Sequence, residues 1–401
     1  MVNTSDNSGG AAKAAYRLHQ AIESVGVDSS MWVRDRRMAD KTVVSTQNWR
    51  SQMSVKVDRL FLQPYLKRCR TQLFSTGLSS DNIVGEILNW HPDVVHLHWI
   101  NFGLLNIWDI GRFNRPIVWT LHDQWAFTGG CHYSADCKGY ESQCGACPQL
   151  GSRSGWDLSR LIHSLKKSSW KNLNLHIVTP SEWLADCARR STLLRNFPIT
   201  VIPNSIDPRF YFPRNKNEVR QKLGLPIDKK IILFGAEGAF TDPRKGGVDF
   251  VKMASRVLLE QSERCFFATF GEPCQLGTRL GYPGIKEFGR VSDEMALAEL
   301  YSAADVVVVP SSEDNFPNTI LESHACGTRV VAYAVGGIPE MIPSNLYGNT
   351  VPYGDISKLA EAVEREIFQT PDEWELHHSV QMRCGQSVIG NAHDQLYRAM
   401  V

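Results

Sequence analysis

The sequence predicts an α/β protein made of two parallel-sheet domains, on the basis of three observations. Short β-branched runs alternate along the chain with longer helical patterns, and this order places helices on both faces of parallel sheets. The 401 residues exceed one ordinary domain and suit two domains of about 150–200 residues each. The alternation also restarts near residue 205, within a polar stretch (200–230) that contains four prolines.

The predicted strands are apolar runs in both halves of the chain. They span 93–100, 116–122 and 175–181 in the first half, and 229–238, 265–273, 305–312 and 328–337 in the second. A first helix is predicted from GGAAKAAYRLHQAIESVG, which ends at Gly26 and places on one face Ala11, Ala15, Leu18, Ile22 and Val25. Sheets of this kind bind ligands at the carboxyl ends of their strands, so functional residues are expected there.

Composition and charge exclude several classes of protein. The chain is 43% hydrophobic and 21% charged, as in an ordinary globular protein, and its net charge of +1 argues against a general nucleic-acid binder. It contains no run of eighteen apolar residues, and its first residues lack the charged leader and apolar core of a signal peptide. We therefore expect a cytoplasmic protein whose ten cysteines are mostly thiols.

Two polar patterns follow predicted strands in the first half. Gly9 and Gly10 stand between a strand end and a helix start, where they let a ligand approach the backbone; a tight strand–helix turn is the alternative. His122 and Asp123 follow the strand of 116–122 and should project from its carboxyl end. The alternative for this pair is a capping aspartate beside a packed histidine.

Two further patterns lie in the second half. Arg244 and Lys245 precede a glycine pair after the strand of 229–238, and cations at such a position suit a diphosphate; a solvated turn is the alternative. In EDNFPNTILESHACG (313–327), a helix that begins near Pro317 would place Asp314 just before its first turn and Glu322 in its second. Capping explains Asp314, but it does not explain Glu322.

A cysteine cluster follows the His122 strand. The spacing C-x5-C-x6-C-x2-C favours a small structural zinc site with four thiolate ligands, although reduced thiols or a disulfide remain alternatives. The candidate ligands are Cys131, Cys137, Cys144 and Cys147.

The Arg–Lys and acidic patterns, in this order and at this distance, resemble the retaining GT-B glycosyltransferases of family 4. The resemblance covers most of the chain through PDVVHLHW, TLHD, VTPSEWLAD, VIPNSIDPRFYFP, DPRKGG and the segment from LYSAADVVVVPSSEDNFPN to GGIPEMI. It implies two facing Rossmann-like domains with a cleft between them. Residues 1–203 would bind the acceptor, residues 204–383 would bind the donor, and a helix at about 384–401 would return to the first domain. The EDNFPN form is most similar to bacterial enzymes that build surface polysaccharides.

The resemblance implies a role for each matching residue. Glu322 matches the acid that binds the ribose hydroxyls, Asp314 takes the place of the acid that contacts the donor sugar, and Lys245 matches the lysine that holds the diphosphate. His122 matches a histidine near the donor sugar, and Gly10 matches a glycine that approaches the diphosphate. Gly289, Arg290 and Val291 match a loop whose backbone usually holds the base of the nucleotide. The further donor-binding positions are Gly9, Arg244, Glu313, Asn315, Phe316, Asn318 and Thr319.

The sequence departs from the family pattern at three places. Asp314 is one methylene shorter than the usual glutamate, and its neighbour Glu313 could serve only in a shifted register. Ala239 and Phe240 stand where an arginine normally accompanies the lysine, so Arg244 would have to supply part of that charge. Pro317 cannot donate a backbone N–H to a phosphate or sugar oxygen.

The implied activity is transfer of a hexosyl group, with retention, from a UDP- or GDP-linked sugar to a glycan or lipid-linked glycan. No covalent nucleophile and no divalent metal are expected in catalysis. The segment 55–77 mixes apolar and basic residues and could contact an anionic membrane at its inner face; a domain helix with a solvated basic face, broken at Pro64, is the alternative. Two other functions remain open, a non-hydrolysing sugar-nucleotide epimerase and a non-catalytic nucleotide-binding protein.

Overall fold

The chain folds into two α/β units, each built around its own parallel sheet. The N-terminal unit consists of Met1–Asn204 with Ile389–Val401, and the C-terminal unit consists of Ser205–Val388. The structure, a computed structural model, describes residues 1–46, 49–65, 73–236, 238–272, 275–282, 285–370 and 372–401.

The described N-terminal unit contains a seven-stranded sheet in the order β3-β2-β1-β4-β5-β6-β7, with every neighbouring pair parallel. Its strands are β1 (Val2–Ser5), β2 (Met31–Asp35), β3 (Val43–Ser45), β4 (Val95–Leu97), β5 (Ile117–Thr120), β6 (Leu175–Thr179) and β7 (Ile199–Val201). Its helices are α1 (Gly10–Ser24), α2 (Trp49–Leu60), α3 (Val84–Leu88), α4 (Asp109–Arg112), α5 (Leu158–Trp170) and α6 (Glu182–Arg190).

The described C-terminal unit contains a six-stranded parallel sheet in the order β10-β9-β8-β11-β12-β13. Its strands are β8 (Lys230–Ala236), β9 (Cys265–Gly271), β10 (Ile285–Glu287), β11 (Val306–Val309), β12 (Val330–Tyr333) and β13 (Gly348–Val351). Its helices are α7 (Lys216–Leu223), α8 (Gly247–Gln261), α9 (Leu276–Leu280), α10 (Glu294–Ala303), α11 (Asn318–Ala325), α12 (Ile338–Met341), α13 (Ile356–Glu366) and α14 (Glu373–Cys384), and the last helix of the chain is α15 (Gln386–Met400).

The predicted fold class is confirmed, and each predicted strand contains an observed one. The sequence also indicated a short first strand before Gly9, which is β1, whereas the strands that sequence patterns missed are β2 and the four at the sheet edges, β3, β7, β10 and β13. Three of these edge strands have only three residues, too few to show a buried apolar run. Edge strands are also exposed along one side, so they need no continuous apolar sequence.

Helix α15 packs onto the N-terminal unit beside α1. Ile389 is buried in the same apolar cluster as Leu18 and Ile22, with Leu396 packed against that cluster. The two backbones approach closely, because a Cβ added at Gly390 would lie 2.4 Å from the carbonyl oxygen of Ala21. A glycine is therefore required at this contact between the helices.

Helix α2 turns apolar side chains toward solvent. Met53, Val57 and Leu60 are spaced to share one face of the helix and are 55%, 40% and 65% exposed, and Phe61, which follows the end of the helix, is 43% exposed. The basic residues at 67, 68 and 70, which belong to the predicted membrane-contact segment, lie outside the described residues.

The inward face of α2 is polar instead. Ser51 and Ser54 are buried and donate to the two carboxylate oxygens of Asp81 at 2.9 and 2.6 Å. Asp58 is also buried and accepts the backbone N–H of Gly77 at 3.1 Å. These buried hydrogen bonds attach the helix to the unit. Among the described residues, no helix is long and apolar enough to cross a membrane.

Lys166 of α5 is a fully buried cation beneath the loop that follows β5. Its Nζ donates to the carbonyl oxygens of Trp125 and Thr128 and lies 3.5 Å from the centroid of the Trp125 ring. Burial lowers the pKa of this ammonium from 10.5 to about 7.

Because the folded pKa lies below the unfolded one, the cost of burying this charge is complete below about pH 7 and falls as the pH rises. We expect the stability of the wild type, relative to Lys166→Met, to increase by up to about 1.4 kcal/mol per pH unit above neutrality. Urea unfolding followed by tryptophan fluorescence, from about pH 6 to about pH 8, measures this difference below the ordinary thiol pKa of about 8.5. A stability difference that is independent of pH would contradict a buried, titrating Lys166.

Candidate active site

The Arg–Lys pair of the C-terminal unit lies in a short 3₁₀ turn, Pro243–Lys245, between β8 and α8. Asp242 caps this turn, since its carboxylate accepts the backbone N–H of Arg244 at 3.0 Å and also bonds its guanidinium. The turn is joined to the end of β11, because the N–H of Ser312 donates to the carbonyl of Arg244 at 2.8 Å. A Cβ at Gly246 would lie 1.8 Å from the carbonyl oxygen of Pro310, so glycine permits this approach.

This arrangement brings Lys245 to the predicted acidic segment. Its Nζ lies 2.7 Å from Oδ2 of Asp314, which is mostly buried, while the ammonium remains partly exposed. Strands β8 and β11 are neighbours in the sheet, so the loops at their carboxyl ends meet. Two residues separated by 69 positions in the chain therefore form one ion pair.

The acidic segment leads into α11 as the sequence predicts. The helix begins at Asn318, Pro317 is its N-cap in an extended conformation, and Gly327 follows its end with a φ of +77°. Pro317 makes no side-chain capping bond, and the start of a helix favours negative charge through its dipole. Glu313, Asn315, Phe316 and Thr319 all lie on this loop or in the first helical turn.

Glu322 is held in the second turn of α11 by a residue that sequence patterns missed. It is only 3% exposed, and its Oε2 accepts the phenolic O–H of Tyr301 at 2.9 Å. Burial raises the pKa of Tyr301 well above its ordinary value, so the phenol stays a donor. The available signal was a tyrosine on a helix next to a buried strand, where its hydroxyl needs a partner.

Asp314 is fixed from its other side by a glycine pair. The N–H of Gly337 donates to the carbonyl oxygen of Asp314 at 3.1 Å. Gly336 has a φ of +56°, and a Cβ there would lie only 1.9 Å from the same oxygen. The loop after β12 therefore sets the backbone position of the acid that pairs with Lys245.

We expect Gly336→Ala to displace the Asp314 backbone, lowering both the melting temperature and the activity. Gly354→Ala is the matched control, since Gly354 also has a positive φ (+79°) but open space around its Cβ position. The control carries only the left-handed backbone cost of about 1–2 kcal/mol. Differential scanning fluorimetry and activity assays on both variants separate the cost of the left-handed backbone from the effect of displacing Asp314. Equal activity losses in the two variants would show that the contact with Asp314 does not matter.

The predicted base-binding loop is attached to a different strand. Gly289 has a φ of +66°, and its carbonyl accepts the N–H of Gly271 at the end of β9 with a distance of 2.8 Å. Arg290 is exposed and Val291 is partly buried. This loop therefore lies at the same carboxyl edge of the sheet as the Lys245 and Asp314 loops, beyond β9.

In the N-terminal unit, the predicted residues also follow strand ends. Gly9 adopts a φ of +87° as the N-cap of α1, and Gly10 is the first helical residue and is exposed. His122 follows β5, and Nδ1 of His98 lies 3.0 Å from its Nε2. Asp123 accepts hydrogen bonds from Trp99 and from the backbone of Trp125, both at 2.8 Å, so this carboxylate organises the loop.

The cysteine cluster does not form the predicted metal site. Cys131 and Cys147 are buried, Cys137 and Cys144 are partly buried, and all four are free thiols. Burial raises the pKa of Cys131, Cys144 and Cys147 above the ordinary value of a thiol. Among the described residues, no group of three or more His, Cys, Asp or Glu side chains is placed to hold a metal ion. The structure therefore gives the predicted zinc site no support.

Two parallel-sheet α/β units are the architecture of GT-B glycosyltransferases, and comparison with known proteins assigns the fold to this class. The Glycosyltransferase Family 4 model matches residues 8–210, and the Glycosyl transferases group 1 model matches residues 229–367. The chain belongs to glycosyltransferase family 4.

Relatives cover the chain to different extents. A putative colanic acid biosynthesis glycosyl transferase, WcaC of Escherichia coli K12, is 25% identical over 90% of this chain and 89% of its own length. D-inositol 3-phosphate glycosyltransferase 2 of Catenulispora acidiphila is 29% identical over 41% of each chain. The corresponding enzyme of Thermobispora bispora is 25% identical over 70% of this chain, and the match spans 63% of its length.

Solved structures share the fold over nearly the whole chain. Sucrose-phosphate synthase from Thermosynechococcus elongatus has a TM-score of 0.68 and 18% identity, covering 99% of this chain and 95% of its own. Anabaena HepE, solved in complex with UDP and glucose, has a TM-score of 0.65 and 16% identity, covering 99% of both chains.

Proposed function

We propose that this protein is a retaining glycosyltransferase that moves a sugar from a UDP- or GDP-linked donor to a glycan or lipid-linked glycan in surface polysaccharide biosynthesis. The observation that carries the proposal is the ion pair of Lys245 and Asp314 beside the start of α11, with Glu322 buried in the same helix. The similarity to WcaC supports the polysaccharide context, and the likeness to HepE supports a nucleotide-sugar donor.

The donor diphosphate would be bound by cations and helix dipoles of the C-terminal unit. Lys245, Arg244 and the first N–H groups of α11 face the negative charge that develops on the leaving diphosphate, which is electrostatic catalysis. Glu322 would accept hydrogen bonds from the ribose hydroxyls, and Gly289, Arg290 and Val291 would hold the base. Because Asp314 already pairs with Lys245, donor binding must exchange that contact for a phosphate or a sugar hydroxyl.

The reaction breaks the bond between the anomeric carbon and the β-phosphate oxygen, and it forms a bond from that carbon to an acceptor hydroxyl. Both reacting oxygens occupy the same face, so the anomeric configuration is retained. The acceptor proton goes to the departing phosphate oxygen, which removes the need for a carboxylate nucleophile of the kind that hydrolases use. In the N-terminal unit, His122 would contact the donor sugar, and Gly10 would approach the diphosphate.

Thermal stability with UDP, GDP, ADP, CMP and dTDP tests the donor site directly. A nucleotide present at about 100 times its dissociation constant should stabilise the protein by about 2.7 kcal/mol. Transfer from the matching sugar nucleotide, with proton NMR of the product, then reports the anomeric configuration. An inverted product would refute retention, and a free epimerised nucleotide sugar would identify an epimerase instead. Nucleotide binding without any turnover of sugar nucleotides would point to a non-catalytic protein.

We also propose that the apolar face of α2 contacts an anionic membrane surface, where a lipid-linked acceptor is found. Four outward apolar side chains support this, and Lys56 on the same helix is exposed. Sedimentation with vesicles of phosphatidylglycerol and phosphatidylcholine should capture the wild type and lose the Met53→Ser/Leu60→Ser variant. Leu259→Ser is the matched control, because Leu259 is 86% exposed on α8. Equal sedimentation of all three proteins would exclude α2 as the contact.

A further inference from the structure

Three buried histidines and the partly exposed His122 form a continuous stack in the N-terminal unit, which ends at the predicted sugar contact. The rings of His96 and His98 stack at 4.3 Å, His98 and His122 at 5.3 Å, and His96 and His393 at 5.6 Å between centroids. His98 and His122 are also hydrogen-bonded, with 3.0 Å between Nδ1 of the first and Nε2 of the second. Either nitrogen could be the donor, so the position of the proton must be decided by the surroundings.

All these imidazoles are neutral near pH 7. Burial lowers the pKa of His122 and of His393 to about 4, and it holds the pKa of His96 and His98 well below the ordinary value. A neutral imidazole carries one N–H and one lone pair. If the proton of His98 is on one ring nitrogen, the other ring nitrogen can therefore only accept a hydrogen bond.

The surroundings of the second ring nitrogen of His98 decide whether His98 or His122 is the donor in the hydrogen bond between them. The Nε2 of His98 is buried and has no hydrogen-bond partner among the described residues. If His122 donated, His98 would have to carry its proton on this Nε2, leaving a buried N–H without an acceptor. If His98 donates from Nδ1, the buried Nε2 is only an unpaired acceptor. Orphaned buried donors are rarer than under-satisfied acceptors, so the second arrangement is favoured.

His393 shows the same preference in the same stack. Its Nδ1 lies 3.0 Å from the carbonyl oxygen of Ile389, which can only accept, so this nitrogen carries the proton. Its Nε2 is then a buried acceptor without a partner in the described part of the chain. This interior thus already tolerates an unpaired imidazole acceptor.

We propose that His98 is a positioning residue that donates from Nδ1 to Nε2 of His122 and so locks His122 in the tautomer with its proton on Nδ1. Within the described residues, the Nδ1 of His122 has no hydrogen-bond partner. His122 therefore presents an N–H donor to a sugar hydroxyl oxygen and rejects a group that can only donate. This inference rests on the proposed function for the role of the sugar, but the tautomer itself does not.

Backbone hydrogen bonds and the stacked His96 ring fix the position of His98. Its backbone N–H donates to Val2 at 3.0 Å, and its carbonyl accepts the Trp119 indole N–H at 3.0 Å. The His96 ring stacked on it is bonded at both nitrogens, to the Tyr397 hydroxyl at 2.6 Å and to Thr120 at 2.8 Å. Because Tyr397 belongs to α15, the C-terminal helix supports the orientation of His98 through His96.

Long-range ¹H–¹⁵N NMR of the ¹⁵N-histidine-labelled protein tests the tautomer without any substrate. We expect His122 to carry its proton on Nδ1 in the wild type and in His98→Asn, whose amide N–H₂ lies close to the position of Nδ1. In His98→Leu the donor is lost, and we expect the proton of His122 to redistribute to Nε2. A wild-type His122 protonated on Nε2 would overturn the proposal, and so would an unchanged tautomer in His98→Leu.

Kinetics tests the consequence for transfer. With UDP-glucose and GDP-mannose as donor probes, we expect kcat/KM to fall about tenfold in His98→Leu, the value of one hydrogen bond, and to recover in His98→Asn. A loss without recovery would indicate a merely structural role. If no UDP- or GDP-linked sugar is turned over by the wild type while the tautomer is as expected, the proposed function fails and the tautomer lock stands. If His98→Leu does not fold, the wild-type spectrum decides.

Discussion

Replacing Glu322 with alanine should weaken nucleotide binding by at least about 100-fold, since hydrogen bonds to a charged group contribute about 1.5–3 kcal/mol each. Glu322 is buried, and one of its carboxylate oxygens already accepts the Tyr301 hydroxyl. A carboxylate that is oriented in advance loses little entropy when it binds the two ribose hydroxyls. The measurement is calorimetric titration with the nucleotide that stabilises the wild type.

Three variants separate binding from folding in this experiment. Tyr301→Phe removes only the hydroxyl that orients Glu322, so we expect a smaller loss of affinity than in Glu322→Ala. Glu361→Ala removes an exposed acid from α13 of the same unit and should bind nucleotide normally. The melting temperature of Glu322→Ala without nucleotide reports the cost of leaving the Tyr301 hydroxyl unpaired. A folded Glu322→Ala protein with wild-type affinity would remove Glu322 from the donor site.

Replacing Lys245 with alanine should lower kcat by about 100- to 1,000-fold, the range seen when one group that stabilises developing negative charge is removed. Lys245 is held at 2.7 Å from Asp314, beside the backbone donors at the start of α11. An ammonium in this position would interact more strongly with the departing diphosphate than with the bound donor, so kcat falls more than KM rises. Steady-state kinetics with the active sugar nucleotide measures both parameters.

Two further variants control for the loss of a charge and of an ion pair. Lys252→Ala removes a lysine that pairs with Asp249 at 3.6 Å on the exposed face of α8, and we expect no effect on kcat. Lys245→Ala/Asp314→Asn removes both partners of the ion pair at the candidate site. If this double variant recovers the activity lost in Lys245→Ala, the unpaired Asp314 carboxylate caused the defect rather than the absent cation.

Local sequence patterns were sufficient to predict the central strands and helix α11. Runs such as VVVV in β11 are typical of strands buried on both faces of a parallel sheet, and the backbone preferences of Pro317 and Gly327 mark the two ends of α11. The same patterns missed the short edge strands. They also indicated a zinc site from cysteine spacing alone, but no group of three or more His, Cys, Asp or Glu side chains is placed to hold a metal among the described residues.

The sequence by itself determined the fold class, the family and the chemical types at the strand ends, because these depend on periodicity and on short motifs. Only the tertiary structure decided which groups meet: Lys245 with Asp314, Tyr301 with Glu322, and His98 with His122. It also showed that residue 336 must be a glycine, because a Cβ there would lie 1.9 Å from the carbonyl oxygen of Asp314. Such contacts join distant loops of a sheet, and their geometry follows from strand order and packing, which no local pattern contains.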